Sequence, residues 1–297
     1  MSFEIRPLLG LGCLVLACGC GAPVPTPSGT GPAGADRTPA KSSAVAGLPE
    51  VSPANAPDPV TRPRVRIAAA SDLRLVFSEL QRGFQAAHPG IDLEVAFGSS
   101  GSFYAQFTQQ APFDLFLSAD LELPQRLVER GDTLPDSLFE YARGSLVLWI
   151  GPGANLPDGV DGLDLLSDSR LGRIAIANPE HAPYGRAALA VLTSLQIAET
   201  VQPRLVLADN VAQALQFVDT GGASLGLVSA SLAGDPRLAG RGRGIPVSSE
   251  LHPPLRQGGV ILKWARDPTA ARAVRDFLVG SRGRELLREH GFQLPEL

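Results

Sequence analysis

From Arg64 onward the chain alternates short apolar runs with apolar residues spaced three and four apart. Arg64–Ala70 holds Val65, Ile67 and three alanines in a row, which predicts a short strand. Ser71 then stands where a helix N-cap belongs, with Asp72 in the first turn. Leu73, Val76, Phe77, Leu80 and Phe84 trace one face of the helix that follows, and His88-Pro89-Gly90 ends it. The same pattern predicts strands over residues 92–97, 114–118, 145–150, 173–177, 204–208, 224–228 and 260–263. It predicts helices from the turn at 98–101 through Gln110, and over residues 121–130, 185–196, 211–218, 268–279 and 281–290. Residues 240–257 read as a polar stretch. Such alternation is the mark of an α/β fold with mostly parallel sheets flanked on both faces by helices.

The first sixty residues follow different rules. Arg6 precedes an apolar stretch, residues 7–17, that is too short to span a bilayer. Val15-Leu16-Ala17-Cys18 resembles the lipobox of bacterial lipoproteins, with Cys18 as the lipidated residue and Cys20 as the alternative. Residues 1–20 thus read as a lipoprotein signal peptide. Residues 21–63 are dense in Pro, Ala, Gly and Ser without helical or strand period, the composition of a disordered tether.

Composition narrows the possible functions. The chain has 297 residues, 44% hydrophobic and 19% charged, enough for about two compact units. A net charge of −4 offers no basic field for nucleic acid. All three cysteines, Cys13, Cys18 and Cys20, precede the folded body, which excludes a disulfide scaffold, a thiolate metal site or a cysteine nucleophile there.

Candidate chemistry gathers where strands give way to helices, the edge at which open α/β sheets bind ligands. Ala70-Ser71-Asp72, Phe97-Gly98-Ser99-Ser100-Gly101, Ala208-Asp209-Asn210-Val211 and Asn178-Pro179-Glu180-His181-Ala182-Pro183-Tyr184-Gly185 are four such turns. Each offers backbone N–H groups at a helix start, two add serine hydroxyls, and none brings an Arg or Lys. Amide donors and the helix dipole together bind anions. Taken singly, Ser71, Ser99, Ser100 and Asn210 also fit ordinary roles as caps or turn residues, and Asp72 fits a solvated first turn.

These segments resemble the periplasmic molybdate-binding proteins of ABC importers. The resemblance runs through Ala68-Ala69-Ala70-Ser71, Phe97-Gly98-Ser99-Ser100-Gly101, Asp114-Leu115-Phe116-Leu117-Ser118-Ala119-Asp120, Asn178 to Gly185, Asp209-Asn210-Val211 and His290-Gly291-Phe292. It covers residue 64 to the C-terminus. It implies a two-lobe periplasmic-binding-protein fold of type II, with lobe I at 64–143 plus 249–297, lobe II at 144–248, and a tetrahedral oxyanion in the cleft. By motif position Ser71 and Ser100 supply hydroxyls and Tyr184 and Val211 backbone amides, with Asp72 and Ser99 at the margin. Many relatives carry a tyrosine where this chain has Ser229, whose side chain is too short to reach equally far. A rebuilt site using the Asp72 amide or Tyr184 is therefore expected. The resemblance also implies molybdate and tungstate as ligands, an importer permease as partner, a monomer on the outer side of a bacterial membrane, and no cofactor. A sulfate or small organic anion in the same fold is the alternative ligand.

Enzymatic readings find less support. Gly98-Ser99-Ser100-Gly101 lacks the spacing of a nucleophile elbow. His88, His181, His252 and His290 show no metal-ligand spacing. A hydrolase would have to pair Ser100 with His181. The Gly29-x-Gly31-x-x-Gly34 letters of a dinucleotide motif fall in the tether with no strand before them, and Arg241 and Arg243 read as a solvated loop. The lipobox carries its own test: Cys18→Ser is expected to release the protein from membranes, read by fractionation, and continued membrane attachment would exclude Cys18 as the anchor.

Overall fold

The computed structural model describes residues 62–296, so the lipobox at Cys18 and the tether up to residue 61 lie outside the described residues. Strand β1 (Arg64–Ala70) has Val65, Ile67 and Ala69 in one apolar cluster and Ala68 in another. A strand buried on both faces reads as a continuous apolar run, which is why its sequence barely alternates. It pairs in parallel with β2 (Asp92–Gly98) and β3 (Leu115–Ser118). Two further strands complete this sheet. β4 (Phe139–Gly144) and β10 (Leu255–Ile261) give the order β2-β1-β3-β10-β4, with β10 antiparallel to both neighbours.

The second sheet has the order β7-β6-β8-β5-β9. Its strands are β5 (Leu146–Ile150), β6 (Ile174–Ala177), β7 (Leu205–Ala208), β8 (Leu225–Ser229) and β9 (Arg243–Pro246). β6 runs parallel to β7 and β8, while β5 is antiparallel to β8 and β9. The chain crosses between the sheets at Ser145 and again between Pro246 and Leu255. A single apolar cluster, from Leu146 through Ile176 and Val191 to Leu227, forms the core around the second sheet.

Helix α1 (Arg74–Ala87) buries Val76, Phe77, Leu80 and Phe84, the stripe its spacing predicts. Helix α2 (Ser100–Phe107) is held by Phe103 and Phe107, whose rings pack on Phe113 and Phe116 with centroids 4.9 to 6.5 Å apart. α3 (Glu122–Glu129), α4 (Pro183–Ser194), α5 (Ala198–Val201), α6 (Val211–Asp219), α7 (Ala230–Ala233), α8 (Pro268–Val279) and α9 (Ser281–Glu289) complete the set. Among the described residues no helix is long and apolar enough to cross a membrane.

Three strands depart from the sequence expectation. β4 is an edge strand whose Glu140 and Arg143 form ion pairs with each other, and Glu140 also pairs with Arg256 of β10, so its polar positions conceal it. β10 begins at Leu255, inside the stretch read as polar, and ends at Ile261 rather than residue 263. Arg243 opens β9 instead of lying in a loop, and it and Arg241 pair with Asp161 and Asp219. These strands make two of the four pairings in each sheet antiparallel, more than the βα alternation implied.

Asp114 fixes the corner of the first sheet. Its buried carboxylate accepts the Arg66 N–H at 2.7 Å and the Arg266 N–H at 2.8 Å. Removing it strands two amides, at about 1–3 kcal/mol each. Asp114→Ala is expected to lower unfolding stability by about 2–4 kcal/mol in urea denaturation.

Candidate oxyanion site

Register brings the site residues together. Ala70 is the Cα partner of Gly98, so the chain leaves β1 and β2 at the same level, at Ser71 and Ser99. Ala177 is likewise the partner of Ala208, so Asn178 and Asp209 leave the second sheet side by side. The carboxyl ends of the two parallel strand sets face each other across the cleft. The space between them is a small cavity of about 10 Å³. Ser71, Asp72, Ser99, Ser100, Tyr184 and Val211 all line it, with Gly98, Ala119, Ala182 and Asn210 among their neighbours. A wider depression of about 230 Å³ adjoins it, sharing Ala119 and Pro183 and bordered by Asp120 and Arg186.

Four helical starts open onto the cavity. Ser71–Leu73 is a single 3-10 turn leading into α1, and α2, α4 and α6 begin at Ser100, Pro183 and Val211. The first amides of a helix have no acceptor within it. At α6, Asn210 Oδ1 accepts from Ala212 and Gln213 at 3.1 Å each, one and two residues beyond Val211. At α4, Pro183 occupies the first turn and no side chain caps the helix, so the Tyr184 amide is the first N–H it presents. Ser100 Oγ accepts the Ala119 N–H at 3.0 Å, which orients the hydroxyl and leaves its proton to donate.

The two lobes touch across this space. His181 O accepts the Ser99 hydroxyl at 2.5 Å and the Gly101 N–H at 2.9 Å. A Cβ on Gly101 would stand 2.4 Å from that carbonyl oxygen, so only glycine permits the approach. Ser231 Oγ donates to Asp72 O at 3.0 Å, and the Arg186 guanidinium pairs with the Asp120 carboxylate at the rim. Deeper in, Tyr184 Oη donates to Asp72 Oδ2 at 3.0 Å and Gln257 Nε2 donates to the same oxygen at 2.5 Å. Burial pushes the Asp72 carboxyl up to about 6, against the lowering effect of these two bonds. Burial, then the neighbouring Asp72 charge, holds the Tyr184 and Tyr141 phenols well above their ordinary value.

All six expected site residues therefore share one cavity. Tyr184 has its side chain turned to Asp72, so the cavity meets its backbone and a phenol already engaged. Ser229 does not line the cavity; it caps α7 by accepting the Leu232 N–H, and its hydroxyl lies 3.2 Å from Ser231 Oγ. The His181 ring lies 3.2 Å from Asp209 O, away from any pairing with Ser100. Among the described residues no group of three His, Cys, Asp or Glu side chains could hold a metal ion. Gln257 and Tyr141 were not legible as site neighbours. Gln257 sits at a β-bulge, and bulges re-aim side chains without leaving a sequence period. Tyr141, whose hydroxyl donates to Ser118 O at 3.1 Å, lies on the concealed strand β4.

Comparison with known proteins agrees with this architecture. The model of the bacterial extracellular solute-binding protein family matches residues 65–293. The chain belongs to that family. Among family relatives, the molybdate-binding protein ModA of Rhodobacter capsulatus is 40% identical over 205 residues, 68% of this chain and 78% of the relative. The molybdate-binding protein ModA of Azotobacter vinelandii is 38% identical over 232 residues, 77% of this chain and 90% of the relative. The solved structure of the Azotobacter vinelandii periplasmic molybdate-binding protein superposes with a TM-score of 0.71 at 31% identity, covering 78% of this chain and all of that one. The two five-stranded sheets flanked by helices are thus the periplasmic-binding-protein fold of this family.

The cleft contacts make a separable prediction. Gly101→Val is expected to leave folding intact, read by circular dichroism, while preventing close approach of the lobes and weakening anion capture at least tenfold in calorimetry. Asp120→Asn removes only a half-exposed rim pair, of a kind worth about 0–1 kcal/mol, and is expected to weaken capture no more than about fivefold.

Proposed function

We propose that this chain captures molybdate, with tungstate as a second ligand, outside the cytoplasmic membrane and hands it to the permease of an ABC importer. The observation that carries the reading is the convergence of four helical starts, with Ser71 and Ser100, on one small cavity free of Lys and Arg. A tetrahedral anion there is solvated by neutral dipoles. Ser71 and Ser100 donate hydroxyls; Tyr184 and Val211 donate amides. Ser99, already engaged with His181 O, serves lobe closure instead. The cavity, about 10 Å³ with the lobes in contact, has no room for a drug-sized ligand, whose sites run to roughly 300–1,000 Å³. Relatives named for molybdate support the choice among oxyanions.

Residues 64–143 with 249–297 and residues 144–248 act as the two bodies of a hinge, and the closed form is what the permease recognises. The protein works as a monomer tethered through lipidated Cys18. It binds and makes or breaks no bond: the ring of His181 is engaged away from Ser100, which supports this against a hydrolase. The net charge of −4 opposes long-range steering of an anion, so attraction is local.

A thermal-shift series with molybdate, tungstate, sulfate and phosphate tests the reading. Ligand at a hundred times its Kd adds about 2.7 kcal/mol, a rise of a few degrees for a body this size. Molybdate and tungstate are expected to stabilise and sulfate and phosphate not. Stabilisation by sulfate alone would reassign the ligand. Ser71→Ala combined with Ser100→Ala is expected to weaken molybdate binding at least tenfold in calorimetry, about 1.4 kcal/mol or more. Unchanged affinity would remove both hydroxyls from the site.

A further inference from the structure

Asp72 lines the cavity proposed to hold an anion. Asp72 is fully buried, and the two bonds it accepts both fall on Oδ2. Oδ1 is buried without a well-aligned hydrogen-bond partner, and of the backbone only the Asp72 and Leu73 amides act on the carboxyl. A buried carboxylate oxygen left bare is costly, and a captured dianion beside it would raise that cost further. No cation offsets the charge. The groups facing Asp72 are Tyr184 of α4, Gln257 of β10, Tyr141 of β4 and Ser231 of α7. Arg74, two residues on, lies instead over the Phe97 ring, 5.3 Å from its centroid.

We propose that Asp72 takes up a proton when the cavity closes on an oxyanion dianion, and that its carboxylic acid then donates from Oδ1 to the anion. The proton comes from solvent while the lobes are apart, and no covalent bond of the anion changes. Tyr184 and Gln257 keep Oδ2 as the acceptor and so assign the acid proton to Oδ1. Asp72 is thus an anion-contacting residue through its side chain, and capture is linked to pH. In the empty cavity, with the lobes in contact, burial pushes the carboxyl up to about 6. Below that value the acid is already present and affinity is flat. Above it each captured anion must bring a proton, so affinity falls as pH rises, by about tenfold per pH unit.

The inference rests on oxyanion binding in this cavity, and the test separates the two. Molybdate is titrated into the full chain by calorimetry at about pH 7.5, in two buffers of different ionisation enthalpy, and the Kd is followed from about pH 5.5 to 8. Uptake approaching one proton per molybdate and the stated slope are expected. Asp72→Asn is expected to bind molybdate with no proton uptake and no slope. Molybdate binding with equal heats in both buffers would overturn the protonated Asp72 while leaving the anion site standing. So would a slope that survives in Asp72→Asn. Phosphate bound more tightly than molybdate above pH 7 would also overturn it, since an ionised Asp72 would then be accepting a proton from the ligand. No molybdate heat at any pH would overturn both.

Discussion

The amides at four helical starts need an acceptor, and the fold directs them to one place. Parallel register between β1 and β2, and between β6 and β7, ends neighbouring strands at the same level. The chain must turn there, and each turn begins a helical segment whose first N–H groups point back over the sheet edge. With the lobes face to face, those donors surround one small cavity. Inside a helix interior such groups would bond to carbonyls; here they are left to face the cavity. The absence of Lys and Arg from the cavity lining follows the same logic, because neutral dipoles solvate an anion while keeping it releasable.

Closing the cleft requires both close approach and polar pairing. Gly101 lets the start of α2 meet the His181 carbonyl, a contact that any Cβ would block. Beneath it, Asp72, Tyr184 and Gln257 join a turn of the first sheet, a helix of the second lobe and a bulged strand. The resemblance to molybdate-binding proteins implies a tyrosine in many relatives at the position where this chain has Ser229, the end of β8. Ser229 instead caps α7, and Tyr184 reaches in from the opposite side. Bringing a phenol in from α4 places it against a carboxylate, which gives the cleft a buried titratable contact beneath the Asp120–Arg186 pair at the rim.

Much of this was legible before any coordinates. The Leu73-Val76-Phe77-Leu80-Phe84 stripe gave α1, and the helix over 268–279 appears with the bounds its pattern predicts. Ser71, Ser100 and Val211 could be named as site residues because helix starts have local signatures and the motif order marked which ones mattered. Edge strands were harder. β4 and β9 carry charged residues that pair across the surface, so neither alternates cleanly. The first half of β10 was lost because Gln257 is polar yet fully buried, and only its partners on β4 and at Asp72 account for that.

The sequence by itself determined the α/β alternation, the apolar faces and the four strand-to-helix turns, since each depends on residues a few positions apart. Tertiary structure alone decided which turns meet. It set Asp72, 112 residues from Tyr184 and 185 from Gln257, against both, and turned a first-turn acid that reads as solvated into a buried one. Burial is a property of what packs against a residue rather than of the residue, and no local pattern encodes neighbours that arrive from another lobe.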